Sequence, residues 1–184
     1  MKFHQHSDLI GNHAFLSPSG YHWVNYSDEK LIDVFKKKMA VEHGTKMHEL
    51  AAMCIRLGQK LPKSEKTICR YVNDSIGYGM IPEQPLIYSY NAFGTADAIG
   101  FNGKILRIHD LKTGETPASM LQLYIYAALF CLEYGLKPGE MEMELRIYQS
   151  NDIFVDTPGV EEIAPVMDKI VRFDKILSEL KEGV

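Results

Sequence analysis

The sequence predicts an α+β (mixed α/β) chain: a central, mostly antiparallel or mixed sheet flanked by helices, with a helical N-terminal part. Three observations carry this. Residues 1–80 hold apolar residues at helical spacing, interrupted by Pro and Gly. The middle switches to period two on either side of Asn102-Gly103. A last amphipathic stripe runs from about Val160 to Lys181. The 184 residues suit a single domain over 1–184, with 1–80 its mostly helical part and 81–184 its sheet-and-helix core.

Taken in order, "LSPSGYHWVNY" is a loop and turn leading to a first helix at Asp28, with Ser27 as its cap and Leu31, Val34 and Phe35 at helical spacing. A second helix is expected after His43, with Met47, Leu50, Ala51, Cys54 and Leu57 on one side. Pro62 ends it, and Ser64 is placed to cap a third through about Asn73. "QPLIYSYNAF" is extended. "GTADAIGF" and "KILRIHDLK" flank Asn102-Gly103, a hairpin signal because the tight turn needs positive φ at both residues.

"ASMLQLYIYAALFCLEYG" is a helix stopped by Gly135 and Pro138. In "EMEMELRIYQ", Met141, Met143, Leu145 and Ile147 share one strand face and Glu142, Glu144 and Arg146 the other. "DIFVDT" pairs with it as a further strand, and the final helix buries Ile163, Val166, Met167, Ile170, Phe173 and Leu177.

Bulk properties narrow the function. A net charge of −4 and a pI near 6.0 exclude a surface coated in positive charge, so any nucleic-acid affinity must come from a local patch or bound cations. No apolar run approaches membrane-spanning length and "MKFHQHSDLIGNH" has no apolar leader, so a cytoplasmic protein without membrane contact is expected. Cys54, Cys69 and Cys131 are widely spaced in apolar sequence with no CxxC pair, which predicts buried reduced thiols and no zinc knuckle.

The chemistry concentrates in "IHDLKTG", residues 108–114. Residues i and i+2 of a strand share a face, so Asp110 and Lys112 project together while Leu111 turns into the core. Pairing across the hairpin sets Asp97 opposite about His109 or Asp110. Two converging carboxylates repel unless a cation joins them, and oxygen ligands beside a lysine suit Mg²⁺ or Mn²⁺. Alone, Asp-x-Lys reads as an ion pair on a strand face. Gln122 and Tyr126, four apart on the next helix, His48 near the start of an early helix, and Gly94 opening the Asp97 strand shift that reading.

Gly44 to His48, Gly94 to Asp97, Asp110 to Lys112, and Gln122 to Tyr126 stand in the order of the four motifs of RecB-type PD-(D/E)XK nucleases, and the chain resembles that family over about residues 44–126. "HAFLSPSGYHW" is similar to the N-terminal signature of phage-associated, exonuclease-like members. The resemblance implies a restriction-endonuclease-like core and metal-dependent hydrolysis of DNA phosphodiesters. It also implies a setting in recombination, repair or phage DNA processing, in a bacterial or phage-infected cell. By carry-over, His48, Asp97, Asp110 and the backbone carbonyl of Leu111 hold Mg²⁺ or Mn²⁺; a histidine ligand favours Mn²⁺. Lys112 becomes the catalytic lysine beside the catalytic Asp97 and Asp110, with Gln122 and Tyr126 orienting it or contacting DNA. Some relatives carry an iron–sulfur cluster on four cysteines; three badly spaced ones imply none here.

Single- or double-stranded DNA would then meet Lys63, Lys66 and Arg70, spaced i, i+3 and i+7 on the third helix, or the cluster Lys36 to Lys38. Tyr21 and Trp23 are placed either to stack on a base or to pack as a lid. Without a GxxxxGK[ST] motif the chain acts alone, as a homo-oligomer such as related exonucleases form, or with a recombination or repair partner. An exonuclease is the leading expectation. The alternatives are a non-catalytic nucleic-acid-binding or assembly subunit with the same fold, and a sequence-specific endonuclease.

Overall fold

The structure is a computed structural model describing Ser7 and residues 14–183. His4, His6, His13 and the rest of "MKFHQHSDLIGNH", where no apolar leader was found, lie outside the described residues, Ser7 apart. The chain divides into two compact units, 1–43 and 44–184.

In the first unit a 3-10 segment spans Pro18–Asn25. The Trp23 indole N–H donates to the Ser17 carbonyl at 2.9 Å, and Phe15 meets Phe35 edge-on at 5.1 Å. Tyr21 is exposed and lies against His22. Lys37 and Lys38 pair with Asp33 and Glu42 on their own helix. That helix, α1 (Asp28–Arg56), starts at Ser27, whose hydroxyl accepts from the Lys30 N–H. It runs unbroken where the sequence suggested two helices. Gly44 is not a break: it is buried within the helix, and a Cβ there would lie 2.8 Å from Thr113 Oγ1. Glycine here serves close approach, which outweighs its poor helix propensity.

In the second unit Ala51, Cys54 and Ile55 of α1 pack with Tyr71 and Val72 of α2 (Thr67–Gly77). The helix begins later than expected from Ser64, whose hydroxyl accepts from the Lys66 N–H in the bend before it. A stripe of Lys63, Lys66 and Arg70 therefore does not form. The two lysines precede the helix, and Arg70 is tied to the Asn151 carbonyl at 2.8 Å and to Glu65.

The sheet has five strands in the order β1 (Ile81–Ser89), β2 (Ala92–Phe101), β3 (Ile105–Leu111), β4 (Glu142–Gln149) and β5 (Asp152–Asp156). All neighbours are antiparallel except β3 and β4, which are parallel and joined through helix α3 (Leu121–Tyr134). Edge position lets β1 carry Pro82 and Pro85. The β2–β3 turn forms where Asn102-Gly103 predicted it, but only Gly103 has positive φ; the Asn102 side chain accepts from the Lys104 and Ile105 N–H groups. The tight two-residue turn is instead Ser150-Asn151 between β4 and β5, both at positive φ.

One core lies between the sheet and α3 with the first half of α4 (Val160–Glu182), filled by Leu106, Ile108, Leu123, Leu145, Ile147 and Ile163. A second sets Ala98, Leu111 and Tyr148 against α1 and α2. The Asp110 strand is thus packed on both faces. Cys54, Cys69 and Cys131 are buried and unpaired. Among the described residues no helix is long and apolar enough to cross a membrane.

The stripe of α4 is shorter than its sequence suggests. Ile163 is buried and Val166, Met167 and Ile170 pack on the core, but Phe173 and Leu177 are nearly half exposed. Polar contacts hold that end: Asp174 accepts from Ser89 and from Asn91, 2.9 Å away in the latter case, and Ser178 accepts from Asn91. Ile163→Ala is expected to cost roughly 2–5 kcal/mol in urea unfolding, and Leu180→Ala to stay within about 0.5 kcal/mol. Equal losses would contradict this packing.

Candidate active site

The end of β3 brings a carboxylate into the interior. Asp110 is 3% exposed, one residue from the strand's end. The Lys112 N–H donates to the Tyr148 carbonyl at 2.9 Å, extending the β3–β4 pairing so that the lysine side chain returns to the Asp110 side. Its ammonium hydrogen-bonds Asp110 Oδ1 at 3.1 Å. It is also 3.0 Å from Oδ2, but without hydrogen-bond alignment, so Oδ2 is buried with no hydrogen-bond partner. The same ammonium donates to Gln122 Oε1 at 2.8 Å, which fixes it from α3. Buried Gln149 braces the intervening loop, donating to the Gly114 and Thr116 carbonyls and accepting from Ala118.

Asp97 lies just beyond the Ala98–His109 pair, next in line to Asp110. Its Oδ2 accepts from the Leu111 N–H at 2.9 Å and is 3.4 Å from His48 Nδ1. His48, Glu83 and Asp97 each offer one donor atom within 4.8 Å of the others. Asp110 adjoins this trio rather than belonging to it. Its charge and those of Asp97 and Glu83 all act on His48 of α1, Tyr71 of α2 and Tyr126 of α3.

The glycines at the site have packing reasons. A Cβ on Gly94 would stand 3.0 Å from the Tyr126 ring, and the phenol donates to the Thr95 carbonyl at 2.7 Å. Gly44 lets α1 close on Thr113, next to Lys112, and so sets the height of His48 one turn on.

The electrostatics follow. Burial raises the Asp110 pKa above the usual carboxylate value and the Asp97 charge adds to this, while the Lys112 ammonium opposes both. Contact with Asp97 raises His48 above its ordinary value, against a lowering by burial. Burial also raises Tyr126. On the α2 side of β3, burial with Arg146 and Arg107 pushes His109 down to about 3, so that imidazole is neutral and adds no charge beneath Asp110.

Of the residues singled out from sequence, His48, Asp97, Asp110, Lys112 and Gln122 come together. Leu111 was expected to offer its carbonyl; its N–H donates to Asp97. Gln122 and Tyr126 were expected to orient the lysine or contact DNA; Gln122 holds the ammonium, and the Tyr126 hydroxyl donates to the Thr95 carbonyl of β2. Lys63, Lys66 and Arg70 do not form the expected cationic stripe.

Glu83 escaped the sequence reading. The signal was the Tyr90-Asn91 turn: pairing Gln84 with Ala96 and Pro82 with Ala98 leaves Glu83 facing Asp97. Its φ of 53° is left-handed, which costs a non-glycine residue about 1–2 kcal/mol.

Compared with protein-family models and with curated proteins, the chain matches none.

The Asp97 contact makes a solution prediction. His48 should titrate above its ordinary value by NMR in the metal-free protein, and Asp97→Asn should bring it down. An unchanged His48 titration in that variant would contradict the pairing.

Proposed function

We propose that the chain is a divalent-metal-dependent deoxyribonuclease, with exonuclease action on DNA as its leading form. The observation that carries this is the Asp110–Lys112 pair: a carboxylate almost wholly buried, one oxygen on a lysine and the other without a hydrogen bond. Its Oδ2 contacts the Lys112 ammonium at 3.0 Å but accepts no hydrogen bond, and a buried carboxylate so placed gains from a second cation. Carboxylates with one imidazole fit Mg²⁺ or Mn²⁺, the latter favoured by nitrogen. His48, Asp97 and Asp110 would hold the ion. When bound, it supplies positive charge that polarises a phosphate and makes water more acidic.

The protein groups do the rest. Asp97 is oriented by the Leu111 N–H, which limits how far its carboxylate must reorganise on binding. Lys112 keeps an ammonium in a part-buried place, where it offsets negative charge developing on a phosphate or orients the attacking water. Gln122 limits the freedom of that ammonium, and Gln149 holds the loop that joins it to α3. The four motif pieces, in order along the chain, support DNA as the substrate and an end-directed reaction.

The test is cleavage of end-labelled single- and double-stranded DNA with Mn²⁺ or Mg²⁺. The wild type should cleave, EDTA should abolish the activity, and Asp110→Asn and Lys112→Ala should each lose about 10²-fold or more. Undiminished cleavage by either variant would overturn the assignment. DNA binding without metal-dependent cleavage would make the chain a non-catalytic subunit, and cutting of supercoiled circles would make it an endonuclease.

A further inference from the structure

Glu83 stands apart from the roles proposed for Asp97, Asp110 and Lys112, and the structure gives it an unusual setting. It faces Asp97 across the β1–β2 pair. Like charges opposed on neighbouring strands are destabilising, so this pair is unfavourable as it stands. Its backbone is left-handed, between Pro82 and the Gln84-Pro85 step. A carboxylate kept in a strained backbone against a second carboxylate has no gain within the fold, and strain of this kind gathers at ligand sites. Among the described residues, no hydrogen bond or ion pair satisfies the Glu83 carboxylate.

Two further observations point to a ligand. The donor atoms of His48, Glu83 and Asp97 lie within 4.8 Å of one another, a spacing a single ion can draw together. Asp110 adds a buried oxygen that accepts no hydrogen bond and contacts the Lys112 ammonium at 3.0 Å.

We propose that Glu83 is a direct ligand of the divalent cation, joining His48, Asp97 and Asp110 in a nitrogen-and-oxygen set. This rests on the metal-dependent reading of the same site. It makes the β1 edge part of the metal centre, and the ion the partner that relieves the Glu83–Asp97 repulsion. A cation should therefore stabilise the fold as well as serve the reaction.

The test measures Mn²⁺ binding by calorimetry and thermal unfolding with and without Mn²⁺, for the wild type, Glu83→Gln and Glu83→Gly. Both variants should bind Mn²⁺ at least about tenfold more weakly. Without metal, Glu83→Gln should melt up to about 3 °C higher, because the repulsion is gone. Glu83→Gly should also melt higher, since glycine accepts the left-handed backbone. In both, the Mn²⁺-induced rise in Tm should shrink. Wild-type affinity and an unchanged Mn²⁺-induced rise in both variants would overturn the proposal while leaving the nuclease reading intact. A wild type that takes up no Mn²⁺ and cleaves no DNA would overturn both.

Discussion

The site depends on one constraint: the Asp110 carboxylate is held inside the protein at the end of a strand packed on both faces. An ionised carboxylate in that position is unfavourable unless its oxygens are met. Lys112, two residues along and on the same side, hydrogen-bonds one and lies 3.0 Å from the other, which has no hydrogen-bond partner. Burial raises the Asp110 pKa and the lysine opposes that rise, so a further cation would offset the same burial cost. The proposed metal chemistry is one resolution of that tension.

Much of the fold serves to hold this strand end in place. The β3–β4 pairing, parallel where the others are antiparallel, forces a crossover through α3, and that crossover delivers Gln122 to the lysine. Gly94 lets Tyr126 lie against β2, which ties α3 to the strand bearing Asp97. Gly44 does the same for α1 at Thr113 and brings His48 to Asp97. On the opposite side of β3, neutral His109 lies among Ser75, Tyr148 and the Arg146–Asp74 pair, a polar layer that adds no unpaired charge beneath Asp110.

Local signals were legible in the sequence and long-range ones less so. The alternation of β4, the glycine stop of α3 and the Asn102-Gly103 hairpin rest on neighbouring residues, and each is found. Two helices were read on either side of His43 where α1 runs through, because a glycine required for close approach looks the same in sequence as one at a helix end. The α4 stripe was extended too far, since periodicity shows which face is apolar but not where the neighbouring layer stops. At the site, Asp97, Asp110 and Lys112 followed from strand geometry, while His48 and Gln122 needed the motif order. Glu83 is visible only once β1 is registered against β2.

The most direct measurement is anomalous diffraction at the manganese edge from crystals grown with Mn²⁺. The account predicts a peak at bonding distance from the His48 imidazole and from Asp97 and Asp110, with Lys112 still on Asp110. Ordered crystals with Mn²⁺ elsewhere, or with these side chains unmoved around an empty centre, would contradict it.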